Sequence, residues 1–107
     1  MAVTLINVFT VPEEREAEFV ENWRRTAQHF QHTKGFLETH FHRNTGVGNG
    51  TFGFINIAKW ESAEAWRSSH EAYKPTEYAI PGVKGHPAIF ESIFDLEYLG
   101  PVQEAAE

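Results

Sequence analysis

The run FINIAKWESAEAW, residues 54 to 66, restricts the fold more than any other part of the chain. Its first half has the apolar and β-branched residues that are typical of a strand. Its second half predicts a helix that Ser62 can cap. Side chains four residues apart on a strand point to the same face, so Asn56 and Trp60 are predicted to share one face. We therefore expect an amide and an indole to face one hollow, an arrangement that suits a flat aromatic ligand.

Hydrophobic patterns along the 107 residues predict the order strand, helix, strand, strand, helix, strand. The predicted strands span residues 3 to 11, 35 to 45, 54 to 60 and 88 to 99. The first helix is predicted to begin near residues 11 to 13 and to end at residues 33 to 35. Its buried stripe has helical spacing and comprises Phe19, Val20, Trp23, Ala27 and Phe30.

The sequence also gives predictions for the second strand and for the segments between the predicted elements. Leu37, Thr39 and Phe41 are predicted on one face of the second strand, and Asn49-Gly50 predicts a tight hairpin turn after it. The proline- and glycine-containing residues 75 to 87 predict a loop with one helical turn at residues 76 to 80. The sequence shows no internal repeat or linker, so we expect one domain over residues 1–107. Its core is predicted at about residues 3–97 and a flexible tail at residues 100–107.

A β-α-β-β-α-β order predicts an α+β fold of the ferredoxin-like type with an antiparallel sheet, in which strand one lies between strands three and four. A second amide, Asn7, lies in strand one and would then be a neighbour of Asn56. The strands also look apolar on both faces, because Leu5 and Phe9 alternate with Ile6 and Val8, and Phe90 and Phe94 alternate with Ile89 and Ile93. One sheet covered by helices on a single face does not need this pattern, so we expect a homodimer that forms a shared α/β barrel.

Composition excludes several classes of function. The formal net charge is −6, and only Arg24 and Arg25 are adjacent, so we expect no nucleic-acid partner. The chain has no cysteine and therefore no disulfide or thiolate chemistry. Without an 18-residue apolar stretch or a signal-peptide pattern, we expect no membrane partner and a cytoplasmic protein.

The histidines leave alternatives open. His40 and His42 share a strand face with Glu38, and His29 and His32 lie three apart on a helix, but neither pair has a convincing third ligand. Surface histidines are the simpler interpretation, and no metal site is expected. Four other side chains are candidates for substrate binding: His70 and His86, either of which could act as a base, and Trp66 and Tyr73, for which a core position is the alternative.

Four segments carry a resemblance to a known family: VTLINVFTV, KGF (34 to 36), HFHR (40 to 43) and INIAKWESAEAW. Together they resemble the antibiotic biosynthesis monooxygenase domain, a family of dimeric α/β barrels, over about residues 3 to 97. The strand ending in Asn-Ile-Ala-x-Trp is similar to that of the cofactorless anthrone and quinol oxygenases, which implies functional roles for Asn56 and Trp60. Asn7 matches an amide in the first strand of several members.

Haem-degrading relatives share the first-strand amide, but they carry a further Trp and a haem-ligating His. The corresponding positions here are Ser69 and residues 76 to 79, which contain no histidine. Haem degradation therefore remains a less favoured alternative, with His70 as the substitute ligand to test.

A chain without a cofactor fingerprint can oxygenate a substrate only if that substrate supplies the electrons. An anthrone or hydroquinone can do so, since loss of a proton gives a delocalised anion that passes one electron to O2. We therefore expect no cofactor, a small aromatic substrate and O2, with Asn7, Asn56 and Trp60 as catalytic hydrogen-bond donors to the oxyanion and the peroxide. The alternatives are that these three residues only pack the core, and that the protein binds a small ligand without catalysis.

Overall fold

A computed structural model describes residues 1–103 of the chain. Four strands and two helices form the fold: β1 (Val3–Thr10), α1 (Glu16–Phe30), β2 (Phe36–Arg43), β3 (Phe54–Trp60), α2 (Ala63–Ala72) and β4 (Lys84–Phe90). Short 3-10 turns precede α1 at Glu13–Arg15 and link α2 to β4 at Thr76–Ala79. The predicted order of elements is confirmed, and so is the helical turn predicted at residues 76 to 80.

The four strands form one antiparallel sheet in the order β2-β3-β1-β4. Strand β1 therefore lies between β3 and β4, which confirms the predicted ferredoxin-like α+β fold. In the register of β1 and β3, Asn7 lies directly opposite Asn56.

The helices cover one face of this sheet. Alternate residues of β1 and β3 are buried beneath them, among them Leu5, Phe9, Phe54 and Ala58. Ser62 begins α2 as predicted, because its side-chain oxygen accepts a hydrogen bond from the backbone N–H of Ala65 at 3.0 Å. Phe9 and Phe19 pack edge to face at 5.0 Å in the larger of two clusters of buried apolar residues.

No helix within residues 1–103 lies over the opposite face of the sheet. Its central residues are apolar, and none of them is fully buried: Ile6, Val8, Ile55 and Ile57. Of these, Ile57 is 37% exposed. The molecule is 18 Å across in its thinnest direction, the thickness of one sheet and one layer of helices.

The last strand differs from its predicted position. β4 spans Lys84–Phe90 instead of residues 88 to 99, so residues 84 to 87 belong to the sheet and not to the predicted loop. Gly85 and Pro87 are tolerated because β4 is an edge strand. Residues 91 to 99 form no strand, and Ile93 and Phe94 are 87% and 74% exposed, so their predicted alternation within a strand is wrong.

Two further predictions about the middle of the chain are wrong. The pairing of β2 with β3 shifts by one residue between Phe36 and Glu38, and Leu37 consequently lies 49% exposed instead of sharing a face with Thr39 and Phe41. The connection from β2 to β3 is a ten-residue loop, residues 44 to 53, not a tight Asn49-Gly50 turn. Its glycines with positive φ are Gly46 and Gly48.

The second half of the predicted flexible tail, residues 104–107, lies outside the described residues, and residues 100–103 form no helix or strand. In the part of the chain that the structure describes, neither helix has the length and apolar character needed to cross a membrane.

Candidate active site

A hollow lies between the helix-covered face of the sheet, the two helices and the turn Thr76–Ala79. Its walls are mostly apolar and aromatic, with a few polar side chains, which is the usual composition of a small-molecule site. It is narrow, since the centres of water-sized molecules can occupy only about 50 Å³ of it. Its aromatic lining residues are Phe9, Trp23, Phe30, Phe36, Trp60, Trp66 and Tyr78, and its polar ones are Asn7, Thr26, Thr39, Asn56, His70 and Glu77.

Asn56 lies in the middle of β3, where the residues facing the helices are buried. The Thr39 hydroxyl on the neighbouring strand β2 donates a hydrogen bond to the Asn56 Oδ1. This contact fixes the orientation of the amide, because it leaves the Nδ2 hydrogens of Asn56 as the group that can donate into the cavity.

Trp60 lies four residues after Asn56, two strand repeats further on, and is on the same face. Its ring is 2% exposed and packs edge to face against Phe30 at 5.7 Å and Phe36 at 5.5 Å. Its Nε1 is the only buried side-chain nitrogen or oxygen within residues 1–103 that has no hydrogen-bond partner. A buried donor without a partner costs about 1–3 kcal/mol, so a ligand that accepts from this N–H would remove the penalty.

Asn7 has a different environment from Asn56 although the two residues are paired. Its Nδ2 donates to the Tyr78 hydroxyl at 2.9 Å, and its Oδ1 accepts from the backbone N–H of His86 at 2.8 Å. Asn7 thus ties the turn Thr76–Ala79 and strand β4 to β1. Because the Tyr78 oxygen accepts from Asn7, the Tyr78 hydroxyl proton is available to another acceptor.

Gly85 makes room for Tyr78. A Cβ atom at position 85 would lie 2.5 Å from the Tyr78 hydroxyl oxygen and 3.0 Å from Phe9 Cε1. Any larger residue would therefore push the Tyr78 ring away from Asn7. Burial raises the pKa of Tyr78, opposed by the hydrogen bond from Asn7 and assisted by the charge of Glu77, so the phenol stays protonated near neutral pH.

Glu77 and His70 are the two lining residues with carboxyl or imidazole groups. Glu77 is 2% exposed and accepts a hydrogen bond from the Thr26 hydroxyl at 2.7 Å. Burial raises the pKa of Glu77, and the hydrogen bonds from Thr26 and from the backbone N–H of Glu77 itself oppose that shift. Burial lowers the pKa of His70, which stacks against Trp66 at 5.1 Å between ring centroids.

The structure brings five of the sequence candidates together around the cavity: Asn7, Asn56, Trp60, Trp66 and His70. The other two candidates lie elsewhere among the described residues. Tyr73 stacks on His29 at 4.0 Å at the end of α2. The His86 side chain is exposed and lies 5.9 Å from the Phe52 ring, so only its backbone N–H contributes, through Asn7.

Sequence reasoning missed Thr26, Thr39, Glu77 and Tyr78. Glu77 meets Thr26 across 51 residues and Tyr78 meets Asn7 across 71, separations for which no local pattern gives a signal. The predicted helical turn at residues 76 to 80 was the only hint that this segment is ordered. His40 and Glu38 do contact each other at 2.8 Å, but on the exposed side of β2. No three histidine, aspartate or glutamate side chains within residues 1–103 are grouped closely enough to hold a metal ion.

The fold and the cavity define a ferredoxin-like α+β protein in which an amide, an indole and a phenol belong to residues that line an aromatic hollow. The family model for antibiotic biosynthesis monooxygenases matches residues 2–74, and the chain belongs to this family. The resemblance of the four sequence segments is thereby confirmed. A comparison with curated proteins gave no match.

Solved structures of the same fold include three informative neighbours. A protein of Shewanella loihica PV-4, provisionally assigned as a monooxygenase, is 28% identical with a TM-score of 0.75 over 88% of this chain and 96% of its own. A variant of SnoaB, a cofactor-independent oxygenase from Streptomyces nogalater, is 26% identical with a TM-score of 0.71. The match covers 91% of this chain and 98% of the SnoaB chain. A heme-degrading protein of Mycobacterium tuberculosis is 22% identical with a TM-score of 0.65. The match covers 92% of this chain and 98% of that protein, and it shows a likeness in fold alone.

Proposed function

We propose that the protein is a cofactor-independent monooxygenase that uses O2 to oxidise an anthrone or another electron-rich polycyclic phenol or hydroquinone to a quinone. The observation that carries the proposal is the buried, unpaired Nε1–H of Trp60 on the same strand face as the Asn56 amide. Two N–H donors that have no described acceptor, on residues that line a mostly apolar cavity, are suited to an oxygen atom that gains negative charge during a reaction. The likeness to a cofactor-independent oxygenase supports the same chemistry.

The steps follow from the chemistry of an anthrone. Loss of a proton from its methylene carbon leaves a delocalised anion, which transfers one electron to O2. Recombination of the two radicals forms a carbon–oxygen bond and gives a peroxide, which loses water to leave the quinone carbonyl. In this proposal Asn56 Nδ2 donates to the oxyanion of the ring, Trp60 Nε1–H donates to the peroxide, and Asn7 acts through Tyr78, whose hydroxyl donates to the same ligand.

The narrow cavity places a condition on binding. Because the hollow is narrow inside and open to solvent at its edge, we propose that a three-ring substrate extends from the inner hollow to this edge. Trp66 and His70 on α2 are half-buried and stack on each other, and we propose that this pair contacts the outer ring of the substrate.

We propose that two copies pair through the open face of the sheet. No helix within residues 1–103 covers the apolar residues of that face. Apolar side chains continue along the exposed segment after β4: Ile93, Phe94, Leu96, Tyr98, Leu99 and Val102. An uncovered apolar surface of this extent is typical of an interface, and a symmetric pair of sheets would close the barrel.

Oxygen consumption tests the proposed function. Purified protein is mixed with a panel of anthrones and with menadiol, and O2 uptake is compared with that of the buffer alone and of heat-denatured protein. We expect protein-dependent uptake with at least one member of the panel. Saturable binding without any protein-dependent uptake would instead indicate a non-catalytic binding protein, and a strong Soret absorption band in the purified protein would favour haem chemistry.

A further inference from the structure

The proposed reaction needs a group that removes a proton from the substrate, and one buried carboxyl group meets the cavity. Glu77 is the only aspartate or glutamate among the cavity-lining residues of the described chain. It lies in the short turn Thr76–Ala79, whose position is fixed against α1 by two hydrogen bonds. These are Thr26 to Glu77 and Thr76 to Asn22, each of 2.7 Å.

Glu77 lacks the partners that normally make a buried carboxylate stable. None of the six ion pairs between described residues involves Glu77, and the described donors to its carboxyl group, the Thr26 hydroxyl and the backbone N–H of Glu77 itself, are both neutral. An unpaired buried charge is costly, and a glutamine or an apolar residue would fill the same space more stably. A costly titratable group that lies at a cavity is a candidate for a functional role.

We propose that Glu77 is the general base of this enzyme and takes the proton from the carbon or oxygen acid of the bound substrate. The proposal rests on the function proposed above and names a residue that neither the sequence motifs nor the amide and indole pair supply. Because burial raises the pKa of Glu77, its carboxylate is a stronger base than an exposed one.

For an anthrone, the proton balance closes with Glu77 acting twice. The first methylene C–H bond breaks, its electron pair stays on the ring system, and the proton moves to the Glu77 carboxylate. After O2 has formed the peroxide anion, this proton passes to the terminal peroxide oxygen. Glu77 then removes the second C–H proton while the O–O bond breaks, so that hydroxide leaves, accepts that proton as water and frees the carboxylate.

The other titratable groups at the cavity are few. Tyr78 lies beside Glu77 on the same turn, and His70 reaches the cavity from α2. The α1 side chains that line it carry no charge: Trp23, Thr26, Ala27 and Phe30. The β-strands contribute amides, a hydroxyl, the Trp60 indole and apolar groups, none of them charged. Since the pKa of Tyr78 is raised, it stays protonated where a base must be ionised, and His70 is the one competing base.

The test is the pH dependence of kcat/KM for anthrone oxidation in wild type and in Glu77→Gln. In the wild type we expect activity to fall as pH drops through the Glu77 pKa, because the base must be ionised. Glu77→Gln is expected to lower kcat/KM by about 10²- to 10⁴-fold and to abolish this fall of activity at low pH, the acid limb of the profile. Thr26→Val removes a hydrogen bond that lowers the pKa of Glu77, so its acid limb should move to higher pH.

The matched control is Glu71→Gln, which changes an exposed carboxylate on α2 and should behave as wild type. A uniform loss of activity in Glu77→Gln with the acid limb unchanged would overturn the proposal and leave Glu77 as a packing residue. An acid limb that vanishes in His70→Gln but persists in Glu77→Gln would assign the base to His70.

A second readout does not depend on turnover. Hydroxyanthraquinones change colour when a hydroxyl ionises, so the spectrum of bound 1,8-dihydroxyanthraquinone reports proton transfer to the protein. We expect a phenolate spectrum near pH 7 with wild type and a neutral spectrum with Glu77→Gln. Glu77-dependent ionisation without any anthrone oxidation would uphold the proton acceptor while rejecting the oxygenase. Ionisation that is absent, or equal in both proteins, would overturn the assignment of Glu77.

Discussion

Asn7 and Asn56 lie directly opposite each other on β1 and β3, yet their amides have separate partners. Asn7 is held between Tyr78 and the backbone of His86, whereas Asn56 accepts from Thr39 and keeps its amino group for the cavity. One amide therefore organises the site and the other is positioned to act on a ligand. This division of roles leads to different expectations for substitutions at the two positions.

Asn56→Ala and Trp60→Phe are expected to lower turnover of an anthrone by an order of magnitude or more. Removing one preorganised hydrogen-bond donor to an oxyanion lowers the rate of other enzymes by about 10²- to 10³-fold. The loss is smaller where a second donor contacts the same oxyanion. Trp60→Phe keeps most of the buried area and deletes an N–H that has no partner, so stability should change little.

The check combines initial rates with urea unfolding, and Asn49→Ala on the exposed loop is the matched control for the amide. A loss of more than roughly 2–3 kcal/mol in Trp60→Phe would indicate a packing role for the indole. Full activity in both variants would remove Asn56 and Trp60 from the mechanism.

Tyr78→Phe should lower stability as well as turnover. The hydroxyl deletion leaves the buried Nδ2 of Asn7 without its acceptor, a loss of about 1–3 kcal/mol. The control is Tyr98→Phe, because Tyr98 is 86% exposed. If unfolding midpoints of the two variants are equal, the contact between Asn7 and Tyr78 does not contribute.

Gly85→Ala should reproduce the effect of Tyr78→Phe without touching the hydroxyl. The new methyl group would lie 2.5 Å from the Tyr78 oxygen, so the ring must shift and its hydrogen bond with Asn7 must lengthen or break. Overpacking of this kind typically costs about 1–3 kcal/mol. Wild-type stability and turnover in Gly85→Ala would show that the Tyr78 ring has other room to occupy.

How much of this site the sequence predicts depends on whether local or distant contacts form it. The positions of Asn56 and Trp60 follow from strand periodicity, and the pairing of Asn7 with Asn56 follows from the predicted order of strands. Ser62 could be recognised as a helix cap because its partner is only three residues away. Each of these inferences uses either a short spacing or the topology of the sheet.

The errors have physical causes that local patterns do not show. Gly85 and Pro87 favoured the prediction of a loop, because both residue types are common in loops. An edge strand tolerates both of them, and the glycine is needed beside Tyr78. The one-residue shift in β2 exposes Leu37, and nothing in the alternation of that strand marks it. Glu77 was overlooked because its partner Thr26 is 51 residues away.

The Glu77 carboxyl group should make stability depend on pH. Its folded-state pKa is raised, so its contribution to stability is fully present below the unfolded pKa and is lost as pH rises through the folded pKa. Glu77→Gln, which stays neutral, is therefore expected to be more stable than wild type at pH 8 and equal to it at about pH 4 or below.

Urea unfolding at pH 4, 6 and 8 measures this difference, with Glu71→Gln as the exposed control. Each pH unit between the folded and unfolded pKa of Glu77 corresponds to about 1.4 kcal/mol. A variant that is less stable than wild type at pH 8 would mean that the folded protein favours the ionised carboxylate.

The open sheet face should mediate dimerisation at micromolar concentration. Ile57→Glu and Phe90→Glu each place a carboxylate on the uncovered face, where Ile57 is 37% and Phe90 48% exposed, and both should shift sedimentation toward the monomer. Val47→Glu alters an 88% exposed apolar residue on the loop of residues 44 to 53 and should leave the dimer intact. A folded wild-type monomer that binds no dye specific for apolar patches would argue against this interface.

The central claim is that the substrate itself supplies the electrons for its oxygenation in this cavity. The most direct measurement is anthrone oxidation under ¹⁸O2 by purified protein pretreated with chelators, with mass analysis of the quinone and parallel O2 consumption. We expect colourless protein, undiminished activity, one ¹⁸O atom per quinone and one O2 consumed per anthrone. Activity that requires a metal, flavin or haem, or a quinone whose new oxygen comes from water, would contradict it.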